Sequence, residues 1–177
     1  MKNGQLNGFT ALELIITMAI VTILLTTGVP AFKNYSWNVR MKAAMDALQS
    51  DLNLARGQAI SHNIQTIICP ATDGSDCSRQ SAWHEGWIVF GDLNGDRHKQ
   101  QGEPLLKLTG NVDLLSISSS SSRRNLRFYP NGSAPGSNAS IVFCDARGAA
   151  EAGKIIVSNS GRIRMQREGT EPTENCP

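Results

Sequence analysis

The residues whose type and spacing most directly imply chemistry lie near the end of the 177-residue chain: Arg162 and Arg164, separated by Ile163 and preceded by Gly161. Lys154-Ile155-Ile156-Val157-Ser158 and Arg162-Ile163-Arg164-Met165 flank Asn159-Ser160-Gly161, a pattern that predicts a β-hairpin with glycine at the turn. Period-two alternation sets both arginines on one strand face and Ile163 and Met165 on the other, with the arginine Cα atoms roughly 6.6 Å apart. Two guanidinium groups at that spacing match successive phosphates, and each offers a bidentate fork that lysine lacks. Gly161 is expected to let the backbone turn tightly and approach such a ligand. Contacts of this kind read backbone charge, not sequence. Only Phe128 and Tyr129 are candidate stacking aromatics nearby, which argues against a site for single-stranded bases.

The charge distribution supports this segment. Net charge is only +2, but from Arg123 onward eight basic side chains face five acidic ones, whereas residues 33–122 carry eight and nine. Lys154, Arg167, Arg123, Arg124 and Arg127 would widen the positive surface. Glu168, Glu171 and Glu174 work against it if the tail folds back. The competing reading is an ordinary solvated strand face.

Other constellations carry less. Asp92, Asn94, Asp96 and Glu103 fall at positions 1, 3, 5 and 12 of a calcium-loop template, but Arg97 stands where the template needs glycine and no helices flank the loop. The expectation is a β-turn at Asn94-Gly95. Cys69, Cys77, Cys144 and Cys176 form no Cys-x-x-Cys pair and have no histidine at ligand spacing, so zinc is not expected. Of the three possible pairings we favour Cys69 with Cys77 and Cys144 with Cys176. Loop-closure entropy assigns these roughly 2.6 and 3.7 kcal/mol. The second would staple the tail to the preceding structure. His62, His84 and His98 sit beside no nucleophile, and there is no Gly-x-Ser-x-Gly elbow, P-loop or dinucleotide fingerprint. No catalytic residue, cofactor or metal is expected.

These side chains need elements to position them. Hydrophobic residues are 40% and charged residues 18%, which excludes a disordered acidic chain, and the length suits about one domain. Phe9 to Val29 carries a single charge, Glu13, over a length that spans a bilayer core. Thr26-Thr27-Gly28-Val29-Pro30 is a poor signal-peptidase site, and a carboxylate inside the apolar run costs roughly 2.5–3.5 kcal/mol on insertion scales, so it needs a partner. Pro30 is expected to bend the helix. Beyond it, Ala31, Phe32, Tyr35, Val39, Ala43, Leu48, Leu52, Ala55 and Ala59 keep a period near 3.6, with Lys33, Arg40, Lys42, Asp46 and Asp51 filling the other face to about Ser61. From Ile64 the pattern switches to strands at residues 65–69, 86–90, 126–129, 140–144 and 154–158. Ser116 to Ser122 reads as an exposed loop or strand edge. The class is α+β: a long N-terminal helix and a C-terminal antiparallel β head.

Gly8-Phe9-Thr10-Ala11-Leu12-Glu13-Leu14 resembles the processing site of a type IV pilin or type II secretion pseudopilin. The resemblance implies cleavage after Gly8 by a prepilin peptidase, N-methylation of Phe9, and an assembly role for Glu13. The Glu13 carboxylate would pair with a neighbouring pilin's N-terminal amine, neutralising two charges that lipid penalises. Leu54-Ala55-Arg56-Gly57-Gln58-Ala59-Ile60, Gly86-Trp87-Ile88-Val89-Phe90, Phe128-Tyr129-Pro130-Asn131-Gly132 and Gly161-Arg162-Ile163-Arg164 together resemble the GspH/FimT class of minor pilins across nearly the whole chain. The layout this implies is a leader at 1–8, a transmembrane segment at 9–29, an amphipathic continuation at 30–62 and a β-rich head at 63–177. The terminal Gly-Arg-x-Arg is similar to the FimT branch, which implies non-specific binding of extracellular double-stranded DNA for natural transformation. The alternative is a structural pilin or pseudopilin that primes filament assembly without binding DNA. Either implies a single-pass protein of the bacterial inner membrane with a periplasmic head, later at the cell surface in the pilus.

Overall fold

The computed structural model describes residues 10–167 and Cys176. One helix, α1 (Ala11–His62), precedes eight strands: β1 (Gln65–Pro70), β2 (Trp87–Asp92), β3 (Leu105–Thr109), β4 (Ser116–Ser119), β5 (Leu126–Phe128), β6 (Ala139–Cys144), β7 (Gly153–Val157) and β8 (Ile163–Arg167). Gly8 and Phe9 lie outside the described residues.

The start of α1 is dictated locally. The Thr10 hydroxyl accepts the Glu13 N–H at 3.3 Å, satisfying one of the open donors of the first turn. Within the apolar run, Thr17, Thr22, Thr26 and Thr27 donate their hydroxyls to carbonyls three or four residues back, so none of these hydroxyls needs water. Pro30 lies inside the helix, which continues through it. The large apolar side chains from Leu12 to Val39 are exposed, apart from the half-buried Trp37.

From Met41 onward α1 buries one stripe: Met41, Met45, Leu48, Leu52, Ala55 and Ala59, in alternating steps of four and three, with Ala44 beside them. Two residues depart from the expected faces. Ala43 is exposed, and Asp51 is buried. The Asp51 carboxylate belongs inside because Oδ2 accepts the Trp87 indole N–H at 2.8 Å and the Thr109 hydroxyl at 2.9 Å. A buried carboxylate is tolerated when donors replace its water.

The head holds two four-stranded sheets, ordered β3-β2-β1-β5 and β4-β6-β7-β8, with every neighbouring pair antiparallel. The strand edge expected near Ser116 is β4, an outer strand of the second sheet. No sequence signal anticipated β3, because Leu105-Leu106-Lys107-Leu108-Thr109 neither alternates nor is rich in β-branched residues. In the second sheet Ala139, Ile141, Phe143, Gly153, Ile155 and Val157 point into the core. A Cβ on Gly153 would lie 2.5 Å from Met45 Sδ, so glycine there lets the helix stripe close onto β7. The disulfides are Cys69–Cys77 and Cys144–Cys176, the favoured pairing. The first packs Cys77 over Ile67, Ile88 and Phe90, and the second packs Cys176 over Val142 and Ala152.

Candidate nucleic-acid interface

β7 and β8 form the expected hairpin. Ser158 N–H donates to Arg162 O at 3.0 Å and Gly161 N–H to Ser158 O at 2.8 Å, closing the turn. Gly161 holds φ at +76°, a conformation that a side chain disfavours. It is buried, and the structure gives it a partner other than a ligand. A Cβ there would stand 2.0 Å from Gly132 O and 3.2 Å from Arg56 Nε. Arg56 Nε in turn donates to Gly132 O at 2.9 Å. The Asn131-Gly132 turn, the helix and the hairpin tip are thus locked together through two glycines, and a further bond from Ala134 N–H to Asn159 O at 2.8 Å fastens the same tip. The side of Gly161 where a Cβ would stand is filled by the Gly132 backbone and Arg56. Arg56 and Gly132 belong to two of the motifs quoted above, but no local pattern shows their contact, which crosses 76 positions.

Register places the arginines. Arg164 pairs with Ile156 and Gln166 with Lys154, so these four share the outward face of the hairpin, while Met165 lies over Ile155 in the core-facing layer. Arg162 immediately precedes β8 and continues the same alternation. Arg162 and Arg164 are exposed, Lys154 is half-buried, and among the described residues neither arginine side chain makes a hydrogen bond or ion pair. Arg167 ends β8, and its side chain lies outside the described residues, as do Glu168, Glu171 and Glu174. Across β6 and β4 the same face continues with Ser140 opposite Ile156, then Ser118 opposite Val142. These lead into a hollow lined by Ser118, Ser120, Ser122, Asn138, Ser140 and Arg123. Three strand spacings of about 4.8 Å make this band about 14 Å wide from β8 to β4, with Ile156 and Val142, the latter packed under Cys176, between the arginines and the serines.

The remaining basic residues separate from this face. Arg123 sits at the far end of the band, where its Nη1 donates to Gly136 O at 2.7 Å. Arg124 donates to the carbonyl of Arg79, and the Arg127 guanidinium lies over the Tyr129 ring at 4.6 Å. Arg124 and Arg127 therefore belong to a different surface, with Arg79 and Arg97. Arg147 is held by Asp145 at 2.7 Å and Glu151 at 3.4 Å. Burial pushes the Asp145 carboxyl up, but the Arg147 side-chain and backbone bonds outweigh it and hold the pKa below the usual value.

The acidic loop forms a turn network. Asp92 accepts Gly95 N–H at 2.7 Å and Arg97 N–H at 3.2 Å, and Glu103 accepts Leu93 N–H and Gln100 N–H, both at 2.9 Å. These carboxylates are occupied by backbone donors, and Gly95 takes the left-handed φ of 82° that the turn requires.

A long apolar-to-amphipathic helix closing onto antiparallel sheets defines a type IV pilin-like α+β protein. The family described as "Type II transport protein GspH" matches residues 44–161, and the chain belongs to it. This is a family of structural, non-enzymatic proteins, and its apolar N-terminal helix is consistent with membrane anchoring and incorporation into a pilus. The fold is similar to the type IV minor pilin FimU of Pseudomonas aeruginosa strain PAO1, at 20% identity and TM-score 0.58, covering 81% of this chain and 96% of that one. It is also similar to the minor pseudopilin EpsH of the Vibrio cholerae type II secretion system, at 11% identity and TM-score 0.52, covering 72% and 97%. No curated protein shows a significant sequence match. The family match ends at Gly161, immediately before Arg162.

Proposed function

We propose that this chain is a minor type IV pilin that binds double-stranded DNA without sequence preference, for uptake in natural transformation. The supporting observation is the exposed pair Arg162 and Arg164 on an anchored hairpin, with no acidic partner among the described residues. A phosphate can take the fork of each guanidinium without displacing an internal ion pair. Lys154 and Arg167 extend the grip on the hairpin, and Arg123 extends it across the serine-lined face. Gly161 contributes indirectly, by holding the hairpin tip. In this reading Gly8 and Phe9 are the processing site of a leader cut by prepilin peptidase. Glu13 and Pro30 serve packing with other pilins, first in the inner membrane and then in a surface pilus.

The test is a salt titration of duplex binding by the full chain in nonionic detergent, disulfides intact. With about three or four phosphates engaged, log affinity falls against log salt with slope near −3. R162Q/R164Q flattens that slope by about two units, equally for unrelated duplexes. A second reading, a structural minor pilin or type II secretion pseudopilin without DNA binding, is supported by the family match and by the likeness to the minor pseudopilin EpsH. Coincident wild-type and variant curves, or no binding at low salt, establish it instead.

A further inference from the structure

The surface that collects Arg124 and Arg127 has its own chemistry. Arg79 follows the Cys69–Cys77 disulfide loop, Arg97 and His98 come from the β2–β3 loop, Arg123 and Arg124 from the β4–β5 loop, and Arg127 from β5. These six side chains line two adjoining hollows of ≈ 440 and ≈ 200 Å³ that share Arg97 and Arg123. No aspartate or glutamate lines either hollow. Five guanidinium groups cannot shed their charge, so gathering them with only Asp76 and Asp96 near the rim is unfavourable.

The groups are positioned rather than loose. Arg123 is oriented by Gly136 O, Arg124 by the Arg79 carbonyl and Arg127 by the Tyr129 ring, and each keeps further N–H donors for a ligand. Arg79 and Arg97 make no side-chain hydrogen bond or ion pair among the described residues. Arg97 holds a left-handed φ of 68°, unusual for a long side chain. The two loops that carry them are tied by Asp76, whose Oδ2 lies 3.0 Å from His98 Nδ1 and whose Oδ1 accepts Lys99 N–H at 2.9 Å. That carboxylate braces the rim without lining the hollow.

We propose that this cleft, which meets the serine-lined end of the hairpin face at Arg123 but includes neither Arg162 nor Arg164, is a phosphoanion site that takes a polyphosphate or a phosphomonoester group. The larger hollow is within the size range of small-molecule sites. Ser121, Ser122 and Asn125 add neutral donors around the guanidinium groups. The Tyr129 ring carries Arg127 outside the hollows, and the only ring that lines them is the His98 imidazole, so the site is built for phosphate oxygens and not for stacking a base. The proposal does not depend on DNA binding by the hairpin.

The experiment is isothermal titration of the full chain in nonionic detergent with sodium tripolyphosphate, using sulfate as a charge control. The expected result is one saturable site per chain that prefers tripolyphosphate. Affinity falls at least tenfold in R79Q/R97Q, whose side chains hold no internal bond, and by clearly less in R162Q/R164Q. A second arm compares duplexes with 5′-phosphate and 5′-hydroxyl ends. An end-dependent gain that R79Q/R97Q abolishes identifies a nucleic-acid terminus as the source, whereas equal binding beside intact tripolyphosphate binding identifies a free phosphoanion. Absence of saturation, equal affinity in R79Q/R97Q, or an equal loss in R162Q/R164Q overturns the proposal. The DNA reading fails separately, on the salt slope of R162Q/R164Q alone.

Discussion

Replacing Gly161 with alanine separates two roles for the glycine before the arginine pair. The new Cβ would stand 2.0 Å from Gly132 O and 3.1 Å from Gly132 C, both backbone atoms that cannot swing aside. It would also hold a side chain at φ +76°, which costs about 1–2 kcal/mol. Relieving the overlap costs about 1–3 kcal/mol more, as overpacking does. If the Gly132 turn moves away, the Arg56 Nε bond to Gly132 O weakens as well, a further ~1 kcal/mol. The expected loss is therefore about 3–6 kcal/mol, read by urea unfolding followed by tryptophan fluorescence. Gly95→Ala is the control: its φ is +82° with nothing within 4 Å of the added Cβ, so it bears strain alone, about 1–2 kcal/mol. DNA affinity per folded molecule should change little in Gly161→Ala if the hairpin tip re-forms. A stability loss below about 1 kcal/mol, or a full loss of DNA binding in a protein as stable as wild type, would show that the glycine acts at the ligand and refute the packing argument.

Three further outcomes follow from single contacts. Asp51→Ala leaves the buried Trp87 indole N–H and the Thr109 hydroxyl without their acceptor, a loss of about 2–4 kcal/mol in the same urea assay. The hydrogen bond and charge of Asp76 raise the His98 pKa, with Asp96 adding to the rise and Arg79 opposing it. Burial pushes Asp76 up, but its bonds from His98, Lys99 and Cys77 outweigh that and lower its pKa. The raised histidine contributes stability below its unfolded value of 6.5 and loses it as pH rises through the folded pKa; the lowered aspartate contributes above 3.8 and loses it as pH falls through its folded pKa. The brace is thus fullest between those two values. An NMR titration should find the His98 pKa above its ordinary value in wild type and returned toward it in Asp76→Asn. Cys144→Ser/Cys176→Ser should lower stability by about 3–4 kcal/mol, from the 32-residue separation it unlinks.

Much of this molecule was legible without coordinates. The apolar run with Glu13, the 3.6-residue period after Pro30 and the Ser158–Arg162 turn are local patterns. A short stretch of chain decides such patterns for itself, through helix periodicity, hydroxyl capping and glycine conformation. The α+β class and the alternation that turns Arg162 and Arg164 outward follow from the same short-range rules.

Tertiary structure alone decided what depends on distant pairing. Asp51 reads as a polar-face residue until Trp87 and Thr109, 36 and 58 positions away, supply its donors. The division of the strands into two sheets, and the presence of β3, rest on register between strands that no local pattern encodes. Gly161 looked like a ligand-facing glycine because its contact with Gly132 is made only when two turns fold onto α1. Arg79 follows a disulfide loop and Arg97 stands in the mixed-charge run Asp96-Arg97-His98-Lys99, and only loop closure sets them beside Arg123, Arg124 and Arg127. The physical reason is common to all four: a side chain's role is set by what desolvates it and what faces it, and both arrive from remote segments.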